Sequence, residues 1–327
     1  MNKIIPEKLK KGDEIRVIAP SRSMQLLSDE SIDIATKRLE KMGFKVTFGK
    51  NVMNQENDVF MCASIKERID DLHEAFLDKN VKAILTVIGG FNVNQILDYI
   101  DYDLIKNNPK IICGFSDITA LLDAIYKKTG LVTYYGPHYS SFGMKNGFDY
   151  TEEYFSKMLV ENNPVEVNDS PEWSDDLWFI DQDKRDFIKN NGRVVINKGK
   201  AEGTIVGGNL CTFNLLQGTE YMPDDDNIIL FIEDDSLVGG EFTREFDRDL
   251  QSLLHSLKNK NIKGLIVGRA QKDSEMNLEK WKYILDRDEL KDIPVIIDMD
   301  FGHTTPIITF PIGGKCIIDN DKVIIND

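Results

Sequence analysis

The 327-residue chain is poor in the features that disclose many proteins at a glance. Its four cysteines, Cys62, Cys113, Cys211 and Cys316, lie far apart and form no C-x-x-C. Cys113 falls in an apolar run, so a reduced, buried thiol is expected there. Histidine is equally scarce: His73, His138, His255 and His303 are the whole set, and none belongs to an H-E-x-x-H. With no Cys/His cluster and no Asp-rich loop, neither a metal nor a cofactor is expected. Basic blocks are missing apart from Lys8, Lys10 and Lys11, while the net charge is -15 and the pI about 4.8. Such a surface repels phosphate backbones, which argues against a nucleic-acid partner. No apolar run is long enough for a membrane span. The stretch Met1 to Glu7 has neither an apolar core nor a cleavage site of small residues. The expected location is therefore the cytoplasm.

What is present suffices for two cores. Hydrophobic residues make up 41% of the chain, and the length fits two domains. In the first half, strand patterns alternate with helical ones. Glu14–Ala19, Phe44–Phe48, Val81–Ile88, Ile111–Cys113 and Leu131–Tyr135 read as strands. A helix opens at Ser28 and closes at Gly43, another starts with the capping box Ser64-x-x-Glu67, and a further one runs through Asn94, Ile96 and Leu97. This alternation predicts an α/β fold, with a doubly wound, mostly parallel sheet over residues 1–165. Residues 166–200 read as a polar linker and loop carrying Trp173 and Trp178. These tryptophans serve either as staples between domains or as a lid over a ligand. Residues 201–327 predict a smaller α/β domain ending in antiparallel strands.

Reactive groups in open α/β sheets collect at the C-terminal ends of strands. Three such ends carry suitable side chains: Ser116, Glu233 and His303. Ser116 follows Ile111-Ile112-Cys113-Gly114 and precedes a helix through Ile118, Leu121, Leu122 and Ile125. It reads either as the N-cap of that helix or as an exposed nucleophile beside free N–H groups. His138, after Gly136-Pro137, is the reserve base. The pairs Gly89-Gly90 and Gly207-Gly208 match no dinucleotide or Walker loop, but they let main chain approach a substrate.

Taken together, Val17-Ile18-Ala19-Pro20-Ser21, Gly89-Gly90, Gly114-Phe115-Ser116-Asp117, Gly136-Pro137, Gly207-Gly208-Asn209-Leu210, Ile232-Glu233-Asp234 and Phe301-Gly302-His303 form a specific set. The chain resembles the LD-carboxypeptidase family of serine peptidases: the muramoyl-tetrapeptide carboxypeptidases and the microcin C self-immunity proteins. The resemblance implies Ser116 as nucleophile, His303 as general base and Glu233 as the acid that orients it. It implies an oxyanion hole from the N–H groups of Gly90 and Asp117, with Phe91 and Asn209 lining the substrate site. It implies hydrolysis of a C-terminal peptide or amide bond through an acyl-enzyme, in a homodimer and without metal. The segment Pro171–Phe179 looks like the tryptophan-bearing loop of the immunity branch. Trp173 or Trp178 is then expected on the planar base of an aminoacyl-nucleotide substrate. The competing readings are a murein-peptide carboxypeptidase and a non-catalytic ligand-binding protein.

Overall fold

The computed structural model describes residues 2–162 and 164–327. Short buried runs build the first sheet: β1 (Glu14–Ile18), β2 (Lys45–Phe48), β3 (Val81–Thr86), β4 (Ile111–Gly114) and β5 (Thr133–Tyr135). All five pair in parallel, in the spatial order β5-β4-β3-β1-β2. The helices α1 (Asp29–Lys41), α2 (Ile65–Leu77), α3 (Tyr102–Asn107) and α4 (Thr119–Thr129) alternate with them, and α5 (Asp149–Leu159) follows. The predicted caps are formed. Ser28 Oγ accepts from the Ser31 N–H at 3.2 Å. In α2 the Glu67 N–H donates to Ser64 Oγ at 3.3 Å, and the Ser64 N–H returns a bond to Glu67 Oε2 at 3.0 Å. The helix expected through Asn94 is instead a 3-10 stretch, Val93–Tyr99. Asn92 makes no cap bond: its N–H donates to Asp117 and its amide nitrogen to Cys62 Sγ, which turns the side chain away and leaves its buried Oδ1 without a partner among the described residues.

The second sheet has eight strands. In chain order the remaining strands are β6 (Val165–Glu166), β7 (Glu172–Trp173), β8 (Ile188–Lys189), β9 (Val194–Asn197), β10 (Lys200–Asn209), β11 (Asn227–Glu233), β12 (Asn261–Gly268), β13 (Val295–Met299), β14 (Phe310–Ile312), β15 (Lys315–Asp319) and β16 (Lys322–Asn326). The sheet runs β6-β16-β15-β10-β11-β12-β13-β9, parallel from β10 to β13 and antiparallel at both flanks. The helices α6 (Leu210–Asn214), α7 (Phe242–Ser256) and α8 (Leu278–Leu285) connect its strands. β7 and β8 form a separate two-stranded ribbon within the tryptophan segment.

The two sheets exchange strands across the boundary expected from sequence. β14 joins the first sheet antiparallel to β5, and β6 joins the second beside β16. β9, inside the expected linker, closes the far edge against β13. The second sheet is therefore wider than the first. The physical reason is a shared aromatic core: Phe310 stacks on Tyr135 at 4.8 Å and packs on Phe231 at the same distance. Burying these rings on both sides favours one continuous core over two separate ones. Among the described residues, no helix is long and apolar enough to cross a membrane.

Candidate active site

Ser116 leaves the buried strand β4 in the left-handed region, at φ 60°. A non-glycine residue there is strained and persists only where its surroundings hold it. The Ser116 side chain caps nothing. A 3-10 turn, Ser116–Ile118, comes before α4 without a side-chain cap bond. Its hydroxyl instead meets His303 Nε2 at 3.0 Å. The neighbouring Asp117 supplies the restraint. Its buried carboxylate accepts from Ser21 Oγ at 2.5 Å, the Asn92 N–H at 3.0 Å and the Val93 N–H at 3.1 Å. Burial raises the carboxyl's pKa, and these donors oppose the rise. Together they clamp the Gly89-Gly90 loop against the serine. A Cβ on Gly89 would stand 3.0 Å from Ser116 Cβ and 3.1 Å from its Oγ, so only glycine fits comfortably. Among the described residues, the N–H groups of Gly90 and Asp117 have no protein acceptor, as donors to a developing oxyanion require.

His303 Nδ1 lies 2.7 Å from Glu233 Oε2, and Tyr135 donates its hydroxyl to Glu233 Oε1 at 2.6 Å. Ser116, His303 and Glu233 thus stand in one hydrogen-bonded line, brought from the ends of β4 and β11 and from the loop after β13. The imidazole lies against the edge of Phe115, ring centres 5.5 Å apart. Burial alone would lower the His303 pKa, but the Glu233 carboxylate, with Asp235 and Asp234 beyond it, pushes it up to about 9. Burial likewise opposes charge on Glu233, yet His303 and the hydroxyl of Tyr135 hold its pKa below the ordinary value. The neighbouring Asp234 rises to about 7 through burial and the like charges of Glu233 and Asp235.

Gly302 admits His303 to this position. Its φ is 101°, and a Cβ there would fall 2.4 Å from Glu233 Oε2. Gly302→Ala combines a backbone penalty with a clash on a buried carboxylate. It is expected to destabilise the protein by about 2–4 kcal/mol, a loss that urea denaturation would read directly.

The other predicted residues fall in three places. Asn209 is buried at the head of α6, where its side chain caps the Thr212 N–H at 3.2 Å and donates to Asp234 at 3.1 Å. β10 places it in register with Glu233. Phe91 is exposed beside the Gly90 loop, with the Arg22 guanidinium 6.0 Å from its ring centre. Trp173 lies under two cations, Arg269 at 5.2 Å and Lys272 at 5.8 Å, while Trp178 packs against the edge of Phe179 and the core. The tryptophan segment is tied to the histidine loop. Ser174 and Thr305 exchange two main-chain hydrogen bonds of 2.7 Å, two residues beyond His303. His138 is no base for Ser116. It is buried, packed at a tilt on Phe115 with ring centres 4.2 Å apart and bonded to Thr86 Oγ1 at 2.8 Å, and burial drives its pKa well down. Cys211, Asp234 and Asp235 bring potential ligand atoms within 4.8 Å of one another. Burial raises the thiol's pKa, and Asp234 already accepts from Asn209 and from main-chain N–H groups, so the set suits a metal poorly.

Sequence reasoning missed Tyr135 and assigned no role to Ser21. Tyr135 reads as one more residue of a buried strand. Ser21 gives no local sign that its partner is Asp117, almost a hundred positions away.

Fold and site define a class: a mixed α/β protein with a serine, a histidine and a carboxylate aligned at strand ends where two sheets meet. Comparison with known proteins makes this specific. Residues 15–136 match the LD-carboxypeptidase N-terminal domain, and residues 202–318 match the LD-carboxypeptidase C-terminal domain. The chain belongs to the LD-carboxypeptidase family, a family of serine-type carboxypeptidase hydrolases. It is 53% identical to "Putative carboxypeptidase YocD" of Bacillus subtilis over 313 residues, 95% of each chain. It is 34% identical to the microcin C7 self-immunity protein MccF of Escherichia coli, over 95% of this chain and 92% of that one. A "Probable murein peptide carboxypeptidase" of Bacillus subtilis is 31% identical, over 96% of this chain and 91% of that one. Among solved structures, an MccF-like protein from Bacillus anthracis superposes with a TM-score of 0.96 at 52% identity, covering 98% of this chain and 99% of that one. MccF in complex with aspartyl sulfamoyl adenosine superposes at 0.86 and 32% identity, covering 99% and 98%.

Proposed function

We propose that this protein is a serine carboxypeptidase or amidase that cleaves aminoacyl-nucleotide-type substrates, as an immunity protein of the microcin C kind would. The observation that carries the reading is the unbroken line Ser116–His303–Glu233 beside two N–H groups that have no partner among the described residues. In the reaction, His303 Nε2 takes the Ser116 proton as Oγ attacks the acyl carbon. Glu233 holds the Nδ1 proton and stabilises the imidazolium that forms. Gly90 and Asp117 N–H groups stabilise the oxyanion. The imidazolium then protonates the leaving nitrogen, and water releases the acyl group by the same steps. Similarity to MccF, whose structures include a complex with aspartyl sulfamoyl adenosine, supports the nucleotide substrate.

A second reading, cleavage of a murein tetrapeptide, is favoured by the relative named as a murein peptide carboxypeptidase. A side-by-side assay of murein tetrapeptide and aspartyl sulfamoyl adenosine separates the two, with the larger kcat/KM expected for the nucleotide. The reading extends to a cytoplasmic homodimer, testable by sedimentation. A purely ligand-binding role is disfavoured, since nothing in binding alone requires an aligned serine, histidine and carboxylate.

The tryptophan segment supplies a sharper test. Stacking on adenine is worth about 1–3 kcal/mol. Replacing the contacting residue, Trp173 or Trp178, with Ala should therefore raise KM for the nucleotide substrate about 5- to 150-fold and leave that for a peptide nearly unchanged. Equal effects on both substrates would assign these rings to holding the segment in place.

A further inference from the structure

A hydrolase acting at a chain terminus must recognise a negative group close to the scissile bond, yet this catalytic centre is rich in acids. Asp234 and Asp235 both act on His303 besides Glu233. An anionic leaving group entering here needs a counter-charge. Arg68, the cation buried behind the loop, is already committed: it donates to the carbonyls of Pro20 and Asn92 and to the Gln95 side chain.

Arg22 is different. It follows Pro20-Ser21 at the end of β1, half-buried, and its Nε donates to the Gly89 carbonyl at 2.9 Å. Its stem runs along Gly90, where an added Cβ would meet Arg22 Cγ at 2.9 Å. Gly89 itself abuts Ser116, so a single residue separates the guanidinium's anchor from the nucleophile. Among the described residues, Arg22 forms no ion pair within 4 Å, although the charge of nearby Asp117 acts on it, and its two terminal nitrogens make no hydrogen bond to protein. Those nitrogens are not fully buried, so each keeps some exposure to solvent. Phe91 lies beneath the guanidinium. The result is a cation whose orientation is fixed at Nε while its planar fork of donors is left unused, which suits bidentate capture of a carboxylate or sulfonyl group.

Resting on the hydrolase reading above, we propose that Arg22 is the anion-recognition residue of this site and binds the negative group on the leaving side of the scissile acyl bond. Two substrates share that chemistry. In a peptide the terminal carboxylate carbon is about 3–4 Å from the scissile carbonyl carbon, three bonds away. In an aminoacyl sulfamoyl nucleotide the sulfonyl group is attached to the leaving nitrogen itself. Either brings charge next to the oxyanion donor that Arg22 flanks.

The test uses Arg22→Met, which keeps the stem packed on Gly90 and removes the charge, together with Arg22→Lys. The substrates are a peptide with a free C-terminal carboxylate, its C-terminal amide, and aspartyl sulfamoyl adenosine. The unmodified protein should favour acid over amide, and Arg22→Met should bring their kcat/KM values within about threefold. On the sulfamoyl substrate the same variant should lose roughly 30- to 100-fold, with Arg22→Lys retaining part. Loss in the peptide arm alone would assign Arg22 to a carboxylate, and loss in the sulfamoyl arm alone to the nucleotide linker. An unchanged acid-to-amide ratio with unchanged sulfamoyl kcat/KM would overturn the proposal. Calorimetry with the same ligands in the Ser116→Ala background makes the outcome independent of turnover. If the unmodified protein hydrolyses none of them, the hydrolase reading fails. Equal affinities with and without Arg22→Met then sink the Arg22 assignment separately.

Discussion

Ser116→Ala should lower kcat by about four to six orders of magnitude while leaving the fold in place. The hydroxyl is the only group lost, and among the described residues its one partner is His303 Nε2 at 3.0 Å. No cap is removed, because α4 does not use this side chain. Circular dichroism and thermal unfolding should therefore match the parent closely. The residual rate would come from oxyanion donors that the substitution does not touch, the N–H groups of Gly90 and Asp117. A burst of the released amine, present in the parent and absent in the variant, would place the defect at acylation. Full turnover by Ser116→Ala would refute the nucleophile assignment, and a collapsed fold would show the residue to be structural.

Glu233→Gln should have the next largest effect, about 10⁴-fold in kcat. An amide is the same size, so packing against Gly302 and Gly268 survives, but the charge that organises His303 is gone. The same substitution makes a second, independent prediction. In the parent, burial lowers the His303 pKa and Glu233 overcomes this, raising it to about 9. The neutral imidazole that can accept a proton from Ser116 is then a minority at pH 7, so kcat/KM should climb with pH and level off above about 9. Without the carboxylate, burial is opposed only by the more distant Asp235 and Asp234, and the rising limb should move to lower pH. The stability sign is fixed by the same shift. A histidine raised above its unfolded value stabilises the fold fully below pH ~6.5. That contribution fades as pH rises through the folded value, so activity should increase over the range in which this part of the stability is lost. For Glu233, held low, the contribution is present above its unfolded value and fades in acid. A pH–rate profile of both proteins decides the matter, and an unmoved limb in Glu233→Gln would detach the carboxylate from the base.

Much of this was legible without coordinates, for local reasons. Alternating apolar runs and helical periodicities give the parallel sheet. Ser64-x-x-Glu67 gives a cap that forms as written. Ser116, Glu233 and His303 each stand just beyond a strand, where an α/β sheet exposes side chains, and the motifs around them carry the family resemblance. Two questions depend on distance and not on local pattern. A serine before a helix is cap or nucleophile according to where its hydroxyl points, and the left-handed backbone at φ 60° turned it toward His303. A tryptophan in a polar segment is staple or lid according to what lies beneath it, and Trp173 meets Arg269 and Lys272.

The amino-acid sequence by itself determined the elements, their hydrophobic faces and the three chemically competent side chains, since each of these is set by neighbours a few positions away. Only the tertiary structure decided the exchange of β6 and β14 between sheets, the Tyr135 hydroxyl on Glu233, the Asp117 clamp on the Gly90 loop and the free guanidinium of Arg22. Those depend on contacts between residues tens to hundreds of positions apart. Such contacts are selected by the packing of a shared core, and no local pattern of residues encodes them.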